Sequence, residues 1–173
     1  MLPRVLTIAG TDPTGGAGLQ ADIKSINEAG GFPLSVTTAL VAQNTCGVRE
    51  VHTPPVEFLR AQLDAVFDDV EVDAVKIGML GSAEITHAIT EYLDAHPVTH
   101  LVVDPVMVAT SGDRLLDAAA ESALRDLCTR ATIITPNIDE LAVLAGTQSA
   151  TTHEEAIAQG RALAHDLGTA VLV

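Results

Sequence analysis

Short runs of β-branched and aliphatic residues alternate along this chain with longer stretches whose apolar positions recur every three or four residues. The first kind occupies residues 4–9, 34–41, 73–77, 100–104, 131–135 and 170–173. Several of these runs are apolar throughout, which suits strands buried on both faces of a parallel sheet. The second kind covers residues 18–28, 55–67, 83–94, 117–128, 137–145 and 153–167. Within 55–67, Val56, Leu59, Leu63 and Phe67 form one stripe, the mark of a helix packed by a single face. The punctuation agrees. Pro55 suits a first helical position, Thr152 with Glu155 spells a capping box, and Gly146 and Gly168 fall where helices stop. Strand and helix in alternation predict an α/β fold, a three-layer domain around a mostly parallel central sheet with right-handed crossovers. Residues 43–54 read as a loop with room for a short edge strand. No repeat or linker divides the chain, so residues 1–173 read as one domain. The last run, Ala170-Val171-Leu172-Val173, is a buried-strand pattern in which the chain stops. Pattern alone leaves two readings, a terminal edge strand or a domain incomplete at its C-terminus.

Composition narrows the function classes. Aromatic residues make up 2% of the chain and apolar residues 47%, so the core is aliphatic and too rich for disorder. No apolar run reaches the roughly 20 residues of a membrane span, and residues 5–10 are too short for a signal peptide. The expectation is a soluble, cytoplasmic protein. Nine basic against 23 acidic residues give a net charge of −14, which repels nucleic-acid phosphates and anionic lipid. A phosphorylated ligand would then need a local positive device such as a helix N-terminus, a glycine loop or Mg²⁺. Cys46 and Cys128 form no CxxC and read as reduced packing residues. His96 and His100 are separated by Pro97, which breaks the helix that would pair them.

Candidate chemistry gathers where strands end. Ala9-Gly10-Thr11-Asp12-Pro13-Thr14-Gly15-Gly16-Ala17-Gly18 joins the first strand to the first helix, the place where open parallel sheets bind ligands. It lacks the lysine of a P-loop. Gly16-Ala17-Gly18-Leu19-Gln20-Ala21 fits G-x-G-x-x-A, but no acidic residue follows at the dinucleotide-binding distance. Asp12 could simply form an Asx-turn. Asp104, ahead of Pro105, is placed to hold Mg²⁺, or is a turn residue. Asn137 with Glu140 is a plain capping arrangement, with a metal–phosphate role as its rival. Gln43 offers donor and acceptor together, matching the edge of an aminopyrimidine, or faces water. Gly78 lets a flat ring approach, and Met79 could pack on that ring or in the core. The acidic run 68–73 fails the EF-hand pattern, with Ala74 and Leu80 at the glycine and glutamate positions.

Taken together, Leu6-Thr7-Ile8-Ala9-Gly10-Thr11-Asp12-Pro13-Thr14-Gly15-Gly16-Ala17-Gly18-Leu19-Gln20-Ala21-Asp22, Ala39-Leu40-Val41-Ala42-Gln43-Asn44-Thr45-Cys46-Gly47-Val48, Lys76-Ile77-Gly78-Met79-Leu80, Asp104-Pro105-Val106-Met107 and Thr135-Pro136-Asn137 resemble the hydroxymethylpyrimidine/phosphomethylpyrimidine kinases of the ribokinase-like superfamily. The resemblance implies ATP- and Mg²⁺-dependent phosphorylation of 4-amino-5-hydroxymethyl-2-methylpyrimidine, then of its monophosphate, in thiamine biosynthesis. It implies a substrate site of Gly10, Asp12, Ala17, Val41, Gln43, Met79 and Val106, and metal or phosphate contacts from Asp104, Thr135, Asn137 and Glu140. Many members carry Glu where this chain has Gln43, which keeps pyridoxine or pyridoxal as a rival alcohol. Members continue past the strand matching residues 170–173 with Lys-Gly-Gly-His and a Gly-Thr-Gly-Cys helix start that forms the anion hole. Neither segment occurs here, so the resemblance implies a ribokinase-like domain truncated at its C-terminus, inactive by itself, with no catalytic residue among those present. Related enzymes are often dimers, so a homodimer is possible. A dinucleotide-binding oxidoreductase of the Rossmann type and a fragment that only binds pyrimidine are the other classes.

Overall fold

The computed structural model describes residues 2–107 and 118–173. Its elements run β1 (Arg4–Gly10), α1 (Gly18–Glu28), β2 (Phe32–Asn44), β3 (Gly47–His52), α2 (Val56–Phe67), β4 (Ala74–Ile77), α3 (Ala83–Ala95), β5 (His100–Val103), α4 (Ala118–Cys128), β6 (Ile133–Ile134), α5 (Ile138–Ala145), α6 (His153–Leu167) and β7 (Ala170–Val171). The strands form one sheet in the order β3-β2-β1-β4-β5-β6-β7. Every neighbouring pair is parallel except β2 with β3. The room for an edge strand at residues 43–54 is thus filled by an antiparallel one, and β2 extends past its expected end to meet it. The runs expected at 131–135 and 170–173 shrink to two-residue strands, although Leu172 N still donates to Ile134 O.

Alternation along β1 sorts the layers. Leu6 and Ile8 join Val36, Val75, Ile77, Leu101, Val103 and Ile134 in the main core, with Leu59 and Leu63 of α2, Ile85 and Ile89 of α3, and Leu124 and Leu127 of α4. Thr7 points the other way, toward α1, where its hydroxyl donates to Asp22 Oδ2 at 2.6 Å. Helices on both faces make the expected three layers. The acidic run after α2 serves the sheet, since Asp73 accepts from Arg4 N at 2.7 Å and from its guanidinium at 2.9 Å, clamping the start of β1. Among the described residues no helix is long and apolar enough to cross a membrane.

Some local readings shift. Pro55 is the N-cap of α2 rather than its first residue, with its carbonyl accepting from Phe58 and Leu59. Thr152 caps α6, but Glu155 turns to Thr151, so the box closes on one side only. Gly146 and Gly168 end α5 and α6 in the left-handed region. Cys128 is buried as expected, whereas Cys46 is exposed in the β2–β3 turn and packs nothing. His96 stacks on Tyr92, with ring centroids 4.3 Å apart.

Candidate active site

Because the strands run parallel, the ends of β1, β4, β5 and β6 share one edge. The residue after each strand stays bonded to its neighbour. Gly78 N donates to Ile8 O, Asp104 N to Ile77 O and Thr135 N to Val103 O, all at 2.8–3.0 Å. The expected residues Gly10, Met79, Asp104 and Thr135 are thereby set in a row along that edge.

The loop after β1 is built around Asp12. Its carboxylate accepts from Thr14 N at 2.9 Å, Thr14 Oγ1 at 2.8 Å, Gly16 N at 3.0 Å and Ala17 N at 2.8 Å. Burial alone would raise the Asp12 pKa, but the nearby Gln43 amide and hydrogen bonds from Thr14 and Ala17 override it and hold the carboxyl well below the usual range. Gln20 Oε1 accepts from Asp12 N at 2.7 Å. Thr11 zips the loop to β2, through Thr11 N to Ala39 O at 2.9 Å and Val41 N to Thr11 Oγ1 at 2.9 Å. The Asx-turn reading of Asp12 is realised and exceeded. The loop also removes the Rossmann alternative, because the Gly16 and Ala17 N–H groups that a pyrophosphate would need already face a carboxylate.

Two irregularities bring β2 into the site. Pairing with β1 skips Thr38, between Ala9↔Thr37 and Gly10↔Ala39. The skipped Thr38 is fully buried and donates Oγ1 to Met79 O at 2.6 Å, fixing the loop after β4. Pairing with β3 skips Arg49 at the step from Ala42 to Gln43. Bulges of this kind re-aim side chains beside functional sites. Met79 is half-buried, and its methyl lies 2.5 Å from where a Cβ on Gly10 would stand. Glycine at position 10 is what lets Met79 lie there, so the packing alternative for Met79 resolves as a wall against the loop. A cavity of about 450 Å³ adjoins this loop, lined by Thr11, Pro13, Leu40, Val41, Ala42, Glu50 and His52. It takes in Val41 from the expected set but not Gly10, Gln43, Met79 or Val106. Val106 lies farther along the edge, its N–H bonded to Asp104 O at 2.8 Å.

The charged side follows. Lys76 Nζ bonds both oxygens of Asp22 at 3.0 and 3.1 Å and stands 3.6 Å from Asp104 Oδ2. Thr7, paired with Lys76 across β1 and β4, donates to the same Asp22. Burial raises the Asp104 pKa, Lys76 opposes the rise and Asp22 adds to it. Glu140 is also raised, chiefly by burial, with N–H groups of Asn137 and Met107 working against it and Asp104 adding to it. Asn137 and Glu140 form a complete capping box for α5. Glu140 also accepts from Met107 N at 3.4 Å, tying residues 104–107 to that helix. Their polar atoms therefore serve the cap. Among the described residues no group of three or more His, Cys, Asp or Glu could hold a metal ion alone. Mg²⁺ needs only one or two carboxylates when phosphates supply the rest, and Asp104, flanked by the further carboxylates of Asp22 and Glu140, fits a divalent cation arriving with phosphate. Lys76, Asp22, Thr7 and Thr38 were absent from the sequence-derived site. The signal for two of them was a polar residue inside an apolar strand, in Leu6-Thr7-Ile8 and Val75-Lys76-Ile77.

Comparison with known proteins agrees with this geometry. The family described as phosphomethylpyrimidine kinase matches residues 12–173. The chain is 61% identical over 171 residues to the thiamine biosynthesis multifunctional protein ThiED of Corynebacterium efficiens, covering 99% of this chain and 23% of that protein. It is 52% identical over 159 residues to the hydroxymethylpyrimidine/phosphomethylpyrimidine kinase of Salmonella typhimurium, covering 91% of this chain and 60% of the relative. The chain thus spans about a quarter of the first relative and three fifths of the second. The crystal structure of a phosphomethylpyrimidine kinase from Clostridium difficile superposes with a TM-score of 0.89 at 41% identity, over 96% of this chain and 72% of that one. A pyridoxal kinase of Staphylococcus aureus solved with AMP-PCP shares the fold at a TM-score of 0.86 and 33% identity, over 98% of this chain and 61% of its own. With that match over nearly its whole length, the chain belongs to the phosphomethylpyrimidine kinase family.

Proposed function

We propose that the full protein transfers a phosphoryl group from Mg-ATP to the hydroxymethyl group of 4-amino-5-hydroxymethyl-2-methylpyrimidine, and then to the resulting monophosphate. The carrying observation is the sheet edge itself. A closed, hydrogen-bonded loop with Met79 laid on Gly10 stands beside the anionic group of Asp104, Asp22 and Glu140. Phosphoryl transfer rests on positioning and charge stabilisation rather than on covalent steps by the protein. In this reading the loop, β2 and Met79 hold the flat acceptor, with Gly10, Ala17, Val41, Gln43 and Val106 around it. Asp104 and Thr135 meet the cation and phosphates, while Asn137 and Glu140 keep the tip of α5 in place. A bound Mg²⁺ would supply positive charge against the transferring phosphoryl group. The fold shared with an AMP-PCP-bound kinase supports ATP as donor. An exposed free thiol at Cys46 suits a reducing, cytoplasmic setting.

The test is kcat/KM of the complete protein on the aminopyrimidine and on pyridoxine. A clear preference for the pyrimidine is expected. Equal use, or preference for pyridoxine, would replace this reading with that of a pyridoxal kinase.

A further inference from the structure

Lys76 pairs with Thr7 across β1 and β4, and with Val102 across β4 and β5, two residues before Asp104. Alternation along a strand puts these polar side chains on one face of the sheet, the face that carries α1. There Asp22 takes the Lys76 ammonium with both carboxylate oxygens, at 3.0 and 3.1 Å, and is itself held by the Thr7 hydroxyl at 2.6 Å. Asp104 Oδ2 stands 3.6 Å from the same nitrogen, close enough for attraction and too far for a hydrogen bond. Gly78 makes room for this arrangement. A Cβ there would lie 3.0 Å from Lys76 Nζ and 3.1 Å from Ala9 Cβ, so the ammonium reaches the sheet edge over a residue with no side chain.

We infer that Lys76 is a fixed counter-charge through which Asp104 discriminates between a bare divalent cation and one already bound to phosphate, and that Asp22 is the residue that positions it. This rests on the kinase reading above and deepens it by naming the form in which the cation is taken. A bare cation at Asp104 meets one carboxylate and, beside it, a positive charge. The Lys76 and Asp104 side chains are 25% and 36% exposed, so water screens that repulsion less than at an open surface. A cation carrying phosphate brings negative charge along, and the ammonium that repels the bare ion attracts the complex. A chain of net charge −14 has use for such a device, because its own field gathers free cations and repels free phosphates. Asp22 keeps the device open. Without its grip the ammonium would close on Asp104 and take the oxygen that the cation needs.

Nitrogen-resolved NMR of the complete protein reads both affinities without turnover, from the amide shifts of Gly78, Asp104 and Thr135. One titration uses Mg²⁺ alone and the other Mg²⁺ with AMP-PCP. The unaltered protein should bind the nucleotide complex, and bind Mg²⁺ alone at this edge no tighter than about 1 mM. Lys76→Met should tighten Mg²⁺ alone by about tenfold or more and weaken Mg–AMP-PCP by about threefold or more. The opposite signs are the signature, since a residue that only supports the fold moves both affinities the same way. Any other pattern, with both moving together or either standing still, overturns the inference and leaves the kinase reading intact. An unaltered protein that does not bind Mg–AMP-PCP overturns the kinase reading and the inference together. Where Lys76→Met does not fold, the unaltered protein decides. Mg²⁺ alone bound at these amides more tightly than about 1 mM sinks the inference, and weaker binding beside a tight nucleotide complex upholds it.

Discussion

Asp12, in the loop after β1, is surrounded by donors, while Asp104, two strands across the same edge, is surrounded by charge. Thr14, Gly16 and Ala17 satisfy the first carboxylate, and its pKa falls. The second has lost water to burial and has Lys76 at 3.6 Å, with Asp22 adding to the effect of burial, and its pKa rises. The loop's polar groups bond one another and β2, so its contribution is shape. The charged tips are left with negative charge in excess, which a cation arriving with phosphate can relieve. One edge therefore joins a closed, hydrogen-bonded loop to an electrostatically unfinished group of charges, the pairing on which the proposed reaction rests.

The sharpest way to break the loop is Gly18→Ala. Gly18 opens α1 at φ 56°, and a Cβ there would stand 2.5 Å from the carbonyl oxygen of Gly10. Left-handed strain and a clash with main chain together should cost about 3 kcal/mol, read as the shift in a urea unfolding curve. Gly10→Ala is the contrast. Its Cβ would clash only with the terminal methyl of Met79, its other neighbours on Ala39 being at ordinary contact distance; that methyl can swing aside, so stability should change by less than about 1 kcal/mol while KM rises. Equal losses from the two substitutions would show that the loop is not the rigid half.

On the charged side, Lys76→Met strips the counter-ion from Asp22 and Asp104. The Lys76 and Asp22 side chains are 25% and 18% exposed, so the loss should be about 2 kcal/mol, below that of a fully buried pair. Adding Asp22→Asn should give back part of that loss, with a coupling of at least about 1 kcal/mol in a double-mutant cycle of thermal or urea unfolding. Additive losses would mean that the pair is ornamental and that the tips are not organised by charge.

Legibility followed the same divide. The strands, helices and glycine loop were readable because periodicity and glycine placement report local geometry, and the helices at Gly18–Glu28 and His153–Leu167 match their expected bounds. The tips were half readable. Asn137 and Glu140 carried a capping signature and a metal–phosphate reading at once, and of the two the fold displays the cap, with Glu140 also accepting from Met107 N. Thr38 was not readable at all. Its role depends on a skipped pairing in β2 that aims a hydroxyl across β1 at Met79 O, and a bulge leaves no mark in a continuous apolar run. Gln43 was legible as a donor–acceptor residue, but not its place at the step in β2 where the pairing skips Arg49.

The smallest effect separates the halves by the sign of their response to pH. Asp12 has a folded pKa below its ordinary value of 3.8. Its contribution is present above that value and is lost as pH falls toward the depressed one. Glu140 has a folded pKa above its ordinary 4.5. The folded chain then holds a proton that the unfolded chain has released, so stability declines as pH rises from 4.5 through the raised value. Glu140→Gln deletes that titration while keeping one acceptor for Asn137 N or Met107 N. Measured by urea unfolding between pH 4 and 7, the variant should compare worst with the unaltered protein at the acid end and gain on it steadily as pH rises. A gap that widens toward neutral pH would mean that the Glu140 carboxylate is stabilised by its two N–H donors more than burial penalises it, and that the charged half resembles the loop after all.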